Sequence, residues 1–156
     1  MDNDKQFARA KNSAFRLLRA RPRSERELSE RLSQKGYDEG LIASVVEDLK
    51  KRLLLDDRKF ARFWVDSRMH MNPVGDVVLR HELKEKGVRD EFVEEALAQR
   101  ESGRDELATA RAMAVERFAR LKKVDRRKAT KRLYDFLMRR GFKYDVVRAV
   151  IEEVIA

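Results

Sequence analysis

Three times along the chain, two leucines four residues apart are followed by a basic residue, a glycine and an apolar residue. The copies are Leu28, Leu32, Lys35, Gly36, Tyr37; Leu79, Leu83, Lys86, Gly87, Val88; and Leu133, Leu137, Arg140, Gly141, Phe142. Their glycines stand 51 and 54 residues apart. Beyond each glycine, apolar residues return at spacings of three and four: Ile42, Val45, Val46 and Leu49; Val93, Ala96 and Leu97; Val147, Val150, Ile151 and Val154. Ahead of each leucine pair lies another such stripe: Phe7, Ala10, Ala14, Leu17 and Leu18; Phe60, Phe63 and Trp64; Leu107, Ala110, Ala114, Phe118 and Leu121. That period is helical. The pattern therefore predicts three amphipathic helices per unit, each of roughly 12–17 residues, and three units in tandem. The boundaries fall at 1–55, 56–101 and 102–156.

The local chemistry supports the same division. A basic residue suits the negative end of a helix dipole. A following glycine takes the left-handed conformation that would strain a side chain by about 1–2 kcal/mol. Thus Gly36, Gly87 and Gly141 read as structural caps. Ser24 and Glu27 have capping-box spacing, Asn72-Pro73 places Asn at a helix cap with Pro at the first helical position, and Asp38 and Asp57 suit two more starts. Phe60 and Trp64 share a face and read as core. The fold expected is all-α: three tandem three-helix repeats forming an elongated, curved array, because units this small must share interfaces. The competing architecture is one irregular helical bundle.

Composition narrows the class. Of 156 residues, 42% are charged and 42% hydrophobic, with only six Gly and two Pro, which suits helices with polar faces and argues against a β-sandwich or barrel. With no cysteine, disulfides, thiolate metal sites and cysteine nucleophiles are excluded. No apolar run approaches a membrane span, and the acidic start, Met1-Asp2-Asn3-Asp4, lacks the apolar core of a secretory signal, so a cytoplasmic protein is expected.

The net charge of +9 is unevenly spread: +4 over residues 1–55, −1 over 56–100 and +6 over 101–156. Two runs dominate. One is Arg16, Arg19, Arg21, Arg23 and Arg26; the other is Lys122, Lys123, Arg126, Arg127, Lys128, Lys131 and Arg132. In the second, Arg127 with Lys131 and Lys128 with Arg132 are like-charge pairs that each cost a helix a few tenths of a kcal/mol. A helix that tolerates this suits an anionic partner; the alternative is a solvated face that serves only solubility. Aromatic and basic residues do not alternate as they would in a base-stacking platform.

Catalytic patterns are missing. The glycines form neither dinucleotide nor P-loop spacing, His70 and His81 do not make a metal pair, and no serine lies in a nucleophile elbow. Asp56-Asp57 could hold a divalent cation, but both precede an amphipathic stripe, where carboxylates cap helix N–H groups. No enzyme and no cofactor is expected.

The stretch Leu54-Leu55-Asp56-Asp57-Arg58-Lys59-Phe60-Ala61-Arg62-Phe63-Trp64-Val65-Asp66-Ser67-Arg68 resembles the signature of the RecX family, bacterial regulators of RecA recombinase. Arg21-Pro22-Arg23-Ser24-Glu25-Arg26-Glu27-Leu28 with Lys35-Gly36-Tyr37 is similar to the family's first-repeat motif, and Pro73-Val74-Gly75 with Leu79 to Val88 to its second; residues 129–141 match the third more loosely. Asn72, Asp76 and Val77 stand where the family often has basic residues.

The resemblance implies three three-helix repeats that bind the RecA nucleoprotein filament in its groove. It also implies inhibition of ATP hydrolysis, strand exchange and co-protease activity, and hence roles in homologous recombination, DNA repair and the SOS response. The expected partners are that filament and single- or double-stranded DNA, with the protein a monomer. Candidate contacts are Arg16, Arg19, Arg21, Arg23, Arg62, Arg68, Lys122, Lys123, Arg126, Arg127, Lys128, Lys131 and Arg132. The alternative function is a general nucleic-acid-binding helical array without a recombinase partner. Candidate hinges are Ser102-Gly103 and Lys122-Lys123.

Overall fold

The computed structural model describes residues 2–100 and 105–156, so Ser102-Gly103 and the 101/102 boundary lie outside the described residues. Among the described residues are nine helices and no strand: α1 (Asp2–Ala20), α2 (Glu25–Gln34), α3 (Glu39–Lys51), α4 (Asp57–Met71), α5 (Asp76–Glu85), α6 (Asp90–Ala98), α7 (Glu106–Ala119), α8 (Arg126–Arg139) and α9 (Tyr144–Ile155). None is long and apolar enough to cross a membrane. Lys122 and Lys123 lie in the turn between α7 and α8.

The leucine pairs do the same task in every copy. Leu28, Leu32, Leu79, Leu83, Leu133 and Leu137 are all 0% exposed. Truncating any of them to Ala should cost about 2–5 kcal/mol. In each copy the glycine has positive φ: +96° at Gly36, +78° at Gly87 and +85° at Gly141. Around each, two backbone bonds close the helix end. Gly36 N–H donates to Ser33 and Tyr37 N–H to Leu32; the pairs at Gly87–Lys84 with Val88–Leu83, and at Gly141–Met138 with Phe142–Leu137, repeat it. Val88 and Phe142 are buried as the residues that fold back over these caps.

The same bonds close α3, where Leu53 N–H donates to Lys50 and Leu54 N–H to Leu49. Here the residue in the left-handed region is not glycine but Leu53, at φ 59°. That conformation costs a leucine about 1–2 kcal/mol. Leu53 and Leu54 are also 70% and 50% exposed.

By contact the chain forms two compact units, one of Met1–Trp64 with Leu83–Ala96, the other of Val65–Glu82 with Leu97–Ala156. In the first, Ala10, Ala14 and Leu17 of α1 meet Leu28 and Leu32 of α2 and Ile42, Val45, Val46 and Leu49 of α3. In the second, Ala110 and Ala114 of α7 occupy the corresponding places, against Leu133, Leu137, Val147 and Val150. The small residues on α1 and α7 let these helices come close to α3 and α9.

Three helix starts differ from expectation. Ser24 accepts the Glu27 N–H at 3.1 Å, but the Glu27 carboxylate turns to Arg21 and Lys86 instead of closing the box. α5 begins after Gly75, not at Asn72. Its early donors are met, within the second unit, by backbone carbonyls at the end of α8: Gly75 N–H reaches Arg140 at 2.8 Å and Val77 N–H reaches Gly141 at 3.2 Å. A side chain on Gly75 would overlap that backbone, and Asn72 instead accepts from Arg140. Finally, Asp56 serves the start of α4, accepting from Arg58 and Lys59 at 2.9 and 3.4 Å. Asp57 accepts the Glu25 N–H of α2 at 2.8 Å. Burial raises the Asp57 carboxyl above its ordinary range, against the pull of that bond. Both aspartates thus cap helices, though Asp57 caps a different one from that expected.

Candidate functional site

The two basic runs have different local structures. In the first, Arg16 and Arg19 are exposed on α1 and have no partner among the described residues. Arg21 is held: it bonds Glu27 and the Pro22 carbonyl, the latter at 2.8 Å. Arg23 donates to the Leu17 carbonyl at 3.1 Å, and burial, then the charge of Arg21, lowers its guanidinium below the ordinary value. Arg26 reaches the Glu85 carbonyl and lies against Gly87.

Glu27 is the centre of this knot. Burial alone would raise its carboxyl, but the Arg21 hydrogen bond and the nearby Lys86 charge together hold it below the usual range. Ser24 adds a bond to the Lys86 carbonyl at 2.7 Å. Lys86 also stands 4.4 Å over the Trp64 ring. Trp64 is therefore half-buried and not a full core residue, whereas Phe60 is 1% exposed. What covers the indole on this face is a lysine stem and ammonium and not an apolar side chain.

In the middle of the chain, Arg62 is exposed on α4. Arg68 makes a two-pronged pair with Glu82, at 2.7 and 3.2 Å. Asp76, one of the positions that depart from the family's basic pattern, is buried and paired with Arg100 at 2.6 and 3.2 Å. Glu106 accepts from Asp76 N–H at 3.4 Å and Lys143 N–H at 3.1 Å, serving two helix starts. Arg100 and Glu106 escaped the sequence reading because their partners are 24 and 37 residues away.

The second run is unlike the first. α8 opens with Arg126, Arg127 and Lys128 and has no acidic residue in its first turn, and Asp125 makes no side-chain cap bond. Cations here oppose the helix dipole, so the positive potential of the helix start and of the side chains add. Arg126 is tied to the Ile155 carbonyl at 2.9 Å. Lys122, Lys123, Arg127, Lys128, Lys131 and Arg132 are exposed and have no carboxylate partner among the described residues. Beside them a groove of about 810 Å³ runs between α8 and α9, lined by Arg127, Lys131, Tyr134, Tyr144, Arg148 and Ile151 among others. Tyr134 and Tyr144 meet edge to face with centroids 6.4 Å apart. The sequence offered no alternation of aromatic and basic residues because the two tyrosines sit on different helices. What this site can do is bind anions and planar groups; no nucleophile–base pair is seen in it.

Family models give the deciding observation. Models of the first, second and third three-helix domains of RecX match residues 10–49, 56–97 and 104–151. The chain belongs to the RecX family. It is 40% identical over 139 residues to the regulatory protein RecX of Halorhodospira halophila, covering 89% of this chain and 84% of that one. It is 33% identical over 150 residues to that of Amycolatopsis mediterranei, covering 96% and 85%. Its fold matches the crystal structure of RecX from Lactobacillus salivarius with a TM-score of 0.85 over 97% of both chains at 22% identity. A second crystal structure of a regulatory protein RecX gives 0.83 over 94% of this chain and 73% of the other, at 21% identity. The family thus supplies the all-helical repeat fold, and the relatives it groups with this chain are named regulatory proteins.

Proposed function

We propose that this protein is a negative regulator of RecA recombinase, a cytoplasmic monomer that binds the RecA–DNA filament groove and inhibits ATP hydrolysis, strand exchange and co-protease activity. It acts by occupancy and forms no covalent bond. The observation that carries the reading, beyond family membership, is the unneutralised cationic start of α8. Six exposed cations without internal partners are available for phosphates or acidic protein surface, and their engagement releases condensed counterions. Arg16, Arg19 and Arg62 are further contacts; Arg21, Arg23 and Arg68 serve the fold first. The working division into repeats 1–55, 56–101 and 102–156 places the main contact in the third.

The test is the DNA-dependent ATPase of RecA titrated with the intact chain. Inhibition near stoichiometric ratio is expected, weakened when Arg127, Lys128, Lys131 and Arg132 are changed to Gln. Arg126 is left in place because it holds the Ile155 carbonyl. No inhibition by the wild type at severalfold excess sinks the proposal. The tyrosine pair beside the cations favours a second reading, general nucleic-acid binding through stacking and phosphate contacts. Equal affinity for bare and RecA-coated DNA would support it.

A further inference from the structure

Four helices end in the same pair of backbone bonds, and three of them place glycine where φ is positive. The fourth, α3, places Leu53 there, and neither Leu53 nor Leu54 recovers the cost by burial. Strain that nothing inside the fold repays is often kept for a task outside it. The position is not isolated. A hollow of about 370 Å³ lies beside it in the first unit, with Leu18 of α1, Pro22 from the loop after it and Phe63 from α4 in its lining. Left-handed Leu53 and half-exposed Leu54 stand at its edge, so the patch is a small apolar recess with a projecting aliphatic lip.

Cations outnumber carboxylates around the recess, two to one. Arg23 and Lys59 line it. Arg23 uses only its Nε internally, and Lys59 is exposed with no partner among the described residues. The one carboxylate in the lining, Asp56, keeps its charge while one of its oxygens accepts from the Arg58 and Lys59 backbone N–H groups, so the lining is left with a net positive charge of one. The N-terminus of α4 adds its positive dipole at the same place. A segment that fits must therefore bring apolar anchors for the recess and carboxylates for the rim.

We propose that the recess bounded by Leu18, Leu53, Leu54 and Phe63 docks an acidic segment of a partner protein that inserts a Leu or Phe side chain between flanking Glu or Asp residues. This contact is separate from α8 and goes beyond the filament reading. Leu53 is the anchor lip: its backbone is left-handed and its side chain is 70% exposed.

The experiment uses the intact chain and a fluorescein-labelled synthetic peptide in which Glu pairs flank Leu and Phe, with a copy carrying Lys for every Glu as control. Saturable binding of the acidic peptide is expected, with NMR shifts centred on Leu18, Leu53, Leu54 and Phe63. The control should bind at least about tenfold more weakly. Leu53→Gly relieves the backbone strain, so it should raise Tm by about 2–4 °C while weakening the peptide about tenfold. Leu54→Ala should weaken it similarly with little change in Tm. Binding that survives both variants, no binding below millimolar peptide, or equal binding of the control overturns the proposal. So does a concentration-dependent dimer that Leu53→Gly abolishes, which would make the occupant a second copy of this chain. The α8 variant with Gln at positions 127, 128, 131 and 132 should bind the peptide normally, which separates this contact from the filament reading.

Discussion

The two arginine-rich runs look alike as strings of letters and differ in what the fold does with them. Around Ser24 the guanidinium groups find acceptors within the fold: Arg21 the Glu27 carboxylate, Arg23 the Leu17 carbonyl through its Nε alone, and Arg26 the Glu85 backbone carbonyl. Along α8 the cations stand exposed over a helix start that has no acidic residue in its first turn. The supply of internal acceptors, one carboxylate and two backbone carbonyls, makes the difference. Near Ser24, Glu27 sits where three elements converge and draws Arg21 and Lys86 to itself; near α8, Asp125 caps nothing through its side chain. A basic run is therefore a candidate surface only where the fold has left it without internal acceptors.

The largest effect expected is on the platform that carries the second run. Gly141 ends α8 at φ +85°, and a Cβ there would overlap Val78. Gly141→Ala should cost about 2–4 kcal/mol in urea unfolding, from backbone strain and overpacking together. Changing Arg127, Lys128, Lys131 and Arg132 to Gln should lower affinity for the RecA–DNA filament about 100-fold and flatten the log K against log[salt] slope by about 3–4. Stability should move by less than about 0.5 kcal/mol. In the first run the outcome should reverse. Glu27→Gln should cost about 1–2 kcal/mol of stability at neutral pH while leaving filament affinity unchanged. Because the folded protein lowers the Glu27 carboxyl, its contribution is present above the ordinary glutamate range and lost as pH falls through the lowered value. The glutamine variant should show a flatter stability profile across that acidic window. The smallest effect belongs to Arg16→Gln with Arg19→Gln, the exposed part of the first run, which should flatten the salt slope by at most about 2. If Glu27→Gln weakens filament binding as much as the α8 variant does, the contrast between the runs fails.

Much of the fold was legible because its signals are local. Leucine spacing, the three capping glycines and the Ser24 and Asp38 caps each act within one turn of helix, and the structure places all of them as read. Readings failed where the partner lies far along the chain. Asn72 looked like a cap, but the carbonyls of Arg140 and Gly141 meet those donors from 65 or so residues away. Trp64 has core spacing, yet Lys86 settles on its ring from the turn after α5. For the candidate site, the α8 cations could be picked out from composition alone. Which members of the first run were already engaged, and that Tyr134 and Tyr144 flank the second, depend on tertiary contacts that no short window contains. Leu53 carried no signal at all, since leucine is an improbable residue for a left-handed cap.

The backbone bonds from Gly75 to Arg140 and from Val77 to Gly141 make the close of α8 and the opening of α5 a single joint. Neither end can fray without stranding polar groups on the other, so the amides of Gly75, Val77, Gly141 and Phe142 should exchange with deuterium as one group. A substitution that loosens α8 would then be felt at α5 before it is felt at the intervening α6.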